Sequence, residues 1–179
     1  VFPVPVEPDI SLGPDVKLDF GESTTLTATL NIPLSEVDTI IWSPMETLTL
    51  TAQPNVVIAR PFQNTQYTVT VVNKDGCEDR ARVIVRIDEP KIWYPNAIRP
   101  NGGLAENAAF TVFSAEKAIR LIRTLQIYDR WGNQVFLNEN FQPNDVRYGW
   151  NGTFRGQAMN PAVFVWWAEV ELESGQLII

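Results

Sequence analysis

The sequence predicts an all-β protein, built as two β-sandwich domains in tandem. Apolar and polar residues alternate with period two along several short segments, the pattern of strands buried on one face. Turn chemistry separates those segments: Asn-Gly and Asp-Gly pairs, with glycine and proline clusters. Asp88-Glu89-Pro90 then interrupts the pattern midway, because a proline cannot continue strand pairing.

Residues 1–8 carry Pro3, Pro5 and Pro8. Alternate prolines favour an extended, semi-rigid connector. They are expected to join this stretch to a preceding domain, with any export signal further upstream.

Residues 9–89 read as a small all-β domain. Gly21-Glu22 is a turn, and Thr25 to Leu30 alternates Thr outward with Leu26, Ala28 and Leu30 inward. Thr39 to Trp42 is a short apolar strand ended by Ser43-Pro44, and Val56-Val57-Ile58 is another. Gln66 to Val72 puts Tyr67, Val69 and Val71 on one face, and Asn73-Lys74-Asp75-Gly76 makes a hairpin connection. Arg82 to Ile87 returns with Val83, Val85 and Ile87 inward. The recurrence of turns suits a sandwich with Trp42 near its centre.

Residues 90–179 form the second domain. Ala109 to Phe113 reads as a strand. Ala118 to Ile127 reads two ways. Lys117, Arg120 and Arg123 fall at helical i, i+3 spacing, whereas Ile119, Leu121, Arg123, Leu125 and Ile127 share a face if extended. A turn or short helical piece running into a strand near Leu121 is expected, with the basic stripe a solvated face. Gly132-Asn133 supplies a hairpin turn, and Gln134 to Leu137 returns. Asn151-Gly152 is the other strong turn pair, which also makes Asn151-Gly152-Thr153 a structural feature more than a glycosylation sequon. Ala162 to Leu172 is the clearest long strand, with Phe164, Trp166, Ala168, Val170 and Leu172 on one face and Val163, Val165, Trp167, Glu169 and Glu171 on the other. Glu173-Ser174-Gly175 turns the chain into a last strand at Leu177.

Composition excludes several functions. No run approaches the roughly 20 apolar residues of a membrane-spanning helix. The net charge is −7 and uneven: residues 8–89 hold six Lys/Arg against twelve Asp/Glu, residues 90–179 hold eight of each, and Glu7 supplies the last unit. Such an acidic first half repels nucleic acid. There is no histidine, which removes the commonest general base and metal ligand, and the one cysteine, Cys77, allows no intrachain disulfide. Catalytic residues, metal ligands and cofactors are therefore all expected to be none. Glu169 and Glu171 have the look of a glycosidase carboxylate pair, but nothing nearby reads as a sugar cleft, and both are taken as solvated strand positions.

Three ordered motifs carry a resemblance: WYPNAIRPNG at 93–102, IYDRWGNQVF at 127–136 and GWNGTFRGQAMNPAVFVWWAEV at 149–170. Together they resemble the gliding-motility-associated C-terminal domain, the type B sorting domain of type IX secretion cargo, over about half of the chain. The first domain, through LGPDVKLDFGESTTLTA, WSP and NTQYTVTVVNKDGC, resembles the immunoglobulin-like or PKD-like repeats that precede such domains. The resemblance thus implies two tandem immunoglobulin-like β-sandwiches. Relatives often pair the cysteine after the Asp-Gly turn with an earlier one; that partner is missing here, so Cys77 is expected to be a buried or half-buried thiol. Relatives also carry acidic residues after Pro100-Asn101-Gly102, which invites a calcium reading. Gly103-Leu104-Ala105-Glu106-Asn107 falls short of calcium's six to eight oxygens and reads as a turn-rich loop. Relatives run on through one more strand to a basic terminus, beyond where this sequence stops.

The function implied is a sorting and surface-delivery module. It would be recognised by the type IX translocon with an outer-membrane β-barrel partner protein, and it would bring its cargo to the outside or the cell surface. Tyr128, Arg130, Trp131, Gly132, Asn133, Trp150, Asn151 and Trp167 are the candidates for the recognition surface. The alternative for these residues is fold-keeping, with Arg130 stacked over Trp131 to hold the hairpin. The competing function is an adhesin or carbohydrate-binding pair. Against it, the neighbours Trp93-Tyr94 and Trp166-Trp167 point to opposite faces if extended, which breaks up a flat aromatic platform.

Overall fold

The computed structural model describes residues 6–100, 102 and 104–179. The chain divides into two compact units, the first ending at Glu89 and the second starting at Pro90. Both are all-β, with no α-helix among the described residues.

The first unit contains β1 (Ile10–Ser11), β2 (Val16–Leu18), β3 (Thr24–Thr27), β4 (Thr29–Leu30), β5 (Val37–Ser43), β6 (Leu48–Leu50), β7 (Val56–Ala59), β8 (Thr65–Asn73) and β9 (Glu78–Ile87). One sheet runs β2-β9-β8-β5 and the other β3-β7-β6. With β3, β5, β6, β7, β8 and β9 lettered B, C, D, E, F and G, the sheets are G-F-C and B-E-D, the order of an immunoglobulin sandwich. Strand β2 joins G in parallel, Val16 facing Val85.

The alternation read from the sequence places the core: Leu26, Ala28, Val57, Tyr67, Val69, Val71, Val83 and Val85 are all buried, with Trp42 among them. The Trp42 indole N–H donates to Pro54 O at 3.1 Å, and the Tyr67 hydroxyl bonds Thr47 Oγ1 at 2.5 Å. In antibody domains a disulfide cysteine follows the strand-F tyrosine by two residues. Val69 takes that position here and shares the apolar cluster with Leu26. Cys77 is free and half-buried.

Two expectations change. The Thr25–Leu30 strand is broken at Ala28, whose N–H donates to Asn55 O at 2.8 Å, so the chain leaves β7 and pairs with β1. The inward residues are those expected; the continuity is not. And part of the expected connector is bonded to the first unit, since Asn31 Nδ2 donates to Glu7 O and Asn73 Nδ2 to Val6 O, with Pro8 buried. Pro3 and Pro5, like Asn101 and Gly103 later, lie outside the described residues.

The second unit contains β10 (Ile92–Trp93), β11 (Phe113–Ser114), β12 (Ile119–Tyr128), β13 (Gln134–Phe141), β14 (Thr153–Phe154), β15 (Gln157–Ala158), β16 (Val165–Leu172) and β17 (Leu177–Ile178). A four-stranded antiparallel sheet runs β13-β12-β16-β17. Over one face lie the short ladders β10-β11 and β14-β15 and a Phe110–Trp150 bridge. Ile127, Val135 and Trp150 form a core between them, with Phe110, Phe136 and Phe164 packed against it. Ala109–Phe113, expected as one strand, is reduced to that bridge and the start of β11.

The ambiguous segment resolves as strand, and its helical spacing has a cause. Opposite β16, Ile119 pairs with Leu172 and Leu121 with Glu171; Ile122 pairs with Val170 and Thr124 with Glu169. Arg120 and Arg123 are therefore the extra residues of two bulges. Each bulge shifts the buried face by one, so Ile119, Ile122 and Leu125 are buried at a spacing of three. The arginines are not a free solvated stripe, and Glu171 is not a solvated position. Glu171 is only 6% exposed; its Oε1 accepts from Arg120 at 2.9 Å and its Oε2 from Arg123 Nε at 2.8 Å. One carboxylate thus pins both bulges.

Candidate functional site

The hairpin between β12 and β13 is built by a residue absent from the candidate set. Asp129 Oδ1 accepts the backbone N–H groups of Trp131 (2.8 Å) and Asn133 (2.9 Å), and Oδ2 accepts Asn133 Nδ2 (2.8 Å). Gly132 N–H closes the turn on Asp129 O at 3.0 Å, with Gly132 at φ 82, where a side chain is strained. The Asn133 amide, followed by the turn's backbone N–H groups, holds the Asp129 carboxyl below its ordinary pKa. Asp129 was legible as the short polar side chain that caps its own turn two residues on. With the loop bonded to itself, Trp131 has nothing to pack on and is 81% exposed, with Arg130 exposed beside it. Arg130 does not stack on Trp131. The guanidinium-over-ring contacts among the described residues are Arg60 on Phe62, Arg147 on Tyr148 and Arg155 on Phe154.

The ladders extend this tip into a face. Gln126 pairs with Leu137 on one side and Trp167 on the other; Tyr128 pairs with Gln134 and Val165. Cross-strand partners share a face. Because Leu125 and Ile127 point into the core, these two rows point away from it. Leu137, Val165 and Trp167 are exposed there, and the Tyr128 hydroxyl is tied to Gln126 Oε1. This is an apolar-aromatic patch on an otherwise neutral unit.

Two candidates belong elsewhere. Trp150 is 5% exposed: its backbone bridges Phe110, its ring meets Phe164 edge-on at 4.6 Å, and its Nε1 donates to Thr153 O at 2.8 Å. It is a core residue. Asn151 is exposed but turned on its own loop, its Oδ1 accepting Thr153 Oγ1 at 2.7 Å. Before it, Gly149 lies so close to the chain that a Cβ would sit 2.6 Å from Phe110 O.

An open sheet edge borders the patch. Strand β17 pairs only with Val170 and Glu171, so the outer edge of β16 from Val165 to Glu169 has no strand beside it among the described residues. Among the described residues no cluster of three or more His, Cys, Asp or Glu is placed to hold a metal ion, and no helix is long and apolar enough to cross a membrane.

The sheet of the second unit thus packs one face and displays aromatic side chains on the other. Residues 92–177 match the family model described as the CHU_C type IX secretion signal domain, and these residues are such a domain. No curated protein matches the chain. Among solved structures the chain is similar to dimeric latent PorU from Porphyromonas gingivalis, at 14% identity and TM-score 0.31, over 97% of this chain and 19% of that one. It is also similar to murine CEACAM1b, at 16% identity and TM-score 0.33, over 74% of this chain and 77% of that one. A third is the N-terminal four immunoglobulin domains of Dscam1 isoform 6.44, at 13% identity and TM-score 0.33, over 96% of this chain and 49% of that one. The chain thus spans 19% of the length of the PorU chain.

Proposed function

We propose that residues 90–179 are the sorting and surface-delivery module of a type IX cargo protein, a role that needs no catalysis. The match of residues 92–177 to a type IX secretion signal domain carries this reading. The signal directs passage across the outer membrane to the cell surface. The translocation machinery, with an outer-membrane β-barrel partner, reads the face made by Tyr128, Val165 and Trp167 and the tip made by Arg130, Trp131, Gly132 and Asn133. The first unit, closed around its own core, serves as a spacer.

An export assay tests the proposal. The full chain is fused behind a fluorescent reporter bearing an ordinary inner-membrane export signal, and expressed in a type IX-competent host and in a strain lacking the translocon. The expected result is reporter outside the competent cells and trapped in the periplasm of the mutant. Reporter trapped in both would contradict it.

A further inference from the structure

The second unit carries a cleft lined by none of the residues proposed above to carry recognition. It has a volume of about 370 Å³ and is lined by Trp93, Tyr94, Pro95, Glu106, Asn107, Phe113 and Asn144. That lies at the low end of the roughly 300–1,000 Å³ of small-molecule sites. From these residues we propose that the cleft binds a neutral saccharide.

The aromatic wall is fixed before any ligand arrives. Trp93 and Phe113 are ladder partners in β10 and β11, and their rings lie nearly parallel, 11° apart with centroids at 6.4 Å. Trp93 is still 51% exposed, so it offers a flat surface to a ligand. Strand β10 ends at Trp93, which lets Tyr94 line the same cleft and rest on Trp166 at 4.3 Å. The opposite-face expectation for Trp93 and Tyr94 assumed that the strand continued. Burial raises the Tyr94 pKa, which keeps its hydroxyl neutral.

The polar groups match hydroxyls in kind. Asn144 sits at φ 66, its backbone N–H on Val112 O and its side-chain oxygen accepting Ser114 N–H at 2.9 Å. Its carbonyl oxygen is thereby committed, and its NH₂ remains to donate. Glu106 and Asn107, on the short 3₁₀ turn Ala105–Asn107, add a carboxylate and an amide to the lining. None of the seven lining side chains is basic, so an anionic ligand finds no counter-charge among them and meets Glu106. A quaternary ammonium prefers rings that box it in. Here Trp93 and Phe113 lie nearly parallel and do not box a cation in, and the Asn144 NH₂ meets a cation with the wrong polarity. A ring with an apolar C–H face and a rim of hydroxyls satisfies the flat wall, the donor and the acceptors together.

The test titrates the full chain with cellohexaose, laminarihexaose, maltohexaose, mannohexaose and triacetylchitotriose, and with choline as the cation probe, by calorimetry and tryptophan fluorescence. At least one saccharide is expected to bind saturably. Trp93→Ala should weaken it about tenfold or more. Glu106→Gln and Asn107→Ala, on an exposed turn, should each weaken it several-fold with the melting curve unchanged. Trp131→Ala, far along the sequence at the hairpin tip, should leave it intact. No saturable binding of any saccharide, saccharide affinity unchanged in Trp93→Ala and both turn variants, or binding of choline alone would overturn the proposal. Export of the reporter should be unaffected by these cleft variants, which separates this test from that of the sorting role.

Discussion

Among the described residues, the large hydrophobic side chains exposed by the first unit are aliphatic or thioether, namely Val6, Leu34, Ile41, Met45, Leu50 and Ile58, whereas the second unit also exposes Trp93, Trp131, Tyr148, Trp166 and Trp167. The charges differ in the same sense: residues 8–89 hold twelve acids against six bases, and residues 90–179 hold eight of each. Exposed aromatics with little net charge are the composition of a docking surface. An acidic surface without them resists association. Two all-β units of similar size therefore differ in what their described surfaces offer, the first aliphatic side chains with an acidic excess and the second aromatics with balanced charge.

Core substitutions should treat the units alike. Leu26→Ala in the first and Leu125→Ala in the second should each cost ~2–5 kcal/mol by denaturant titration, because both side chains are buried. No loss in either would undo the face assignments. Gly149→Ala should cost about 1–3 kcal/mol, since its Cβ meets backbone that cannot step aside. Glu171→Gln should cost about 1.5–3 kcal/mol, because both bulge arginines lose a charged acceptor. Glu169→Gln, on the same strand face, should stay within about 0.5 kcal/mol. Equal effects at the two glutamates would contradict the bulge account.

A smaller, local effect should follow pH. The Asp129 carboxyl is held below its ordinary value, so its contribution to the turn is present above about pH 4 and is lost as pH falls through the lowered folded value. Amide NMR signals of Trp131 and Asn133 should lose their turn shifts on acidification, while the first unit's core signals stay. Asp129→Asn should remove the dependence, and a turn insensitive to acid in the parent chain would contradict the assignment.

The sequence made the inward residues legible and their continuity less so. Tyr67, Val69 and Val71 alternate, and the structure buries all of them. Periodicity failed where the backbone steps out of register: Ala28 changes partner strand, and the bulges at Arg120 and Arg123 imitate a helical interval. A bulge leaves no signal in alternation except its own violation. Of the candidate surface, Trp131 is displayed and Trp150 is buried, though both are tryptophans beside an Asn-Gly or Gly-Asn pair. Their difference lies in what passes nearby. Phe110 and Phe164 come from distant sequence to cover Trp150, whereas the Asp129 turn leaves Trp131 with no such cover.

The most direct measurement compares secretion with stability in one variant, Tyr128→Ala/Trp131→Ala/Trp167→Ala. The account predicts a reporter fusion trapped in the periplasm of a type IX-competent host, with the second unit still folded by circular dichroism and its buried core signals intact. Secretion equal to that of the parent chain would contradict the claim that this displayed face carries recognition.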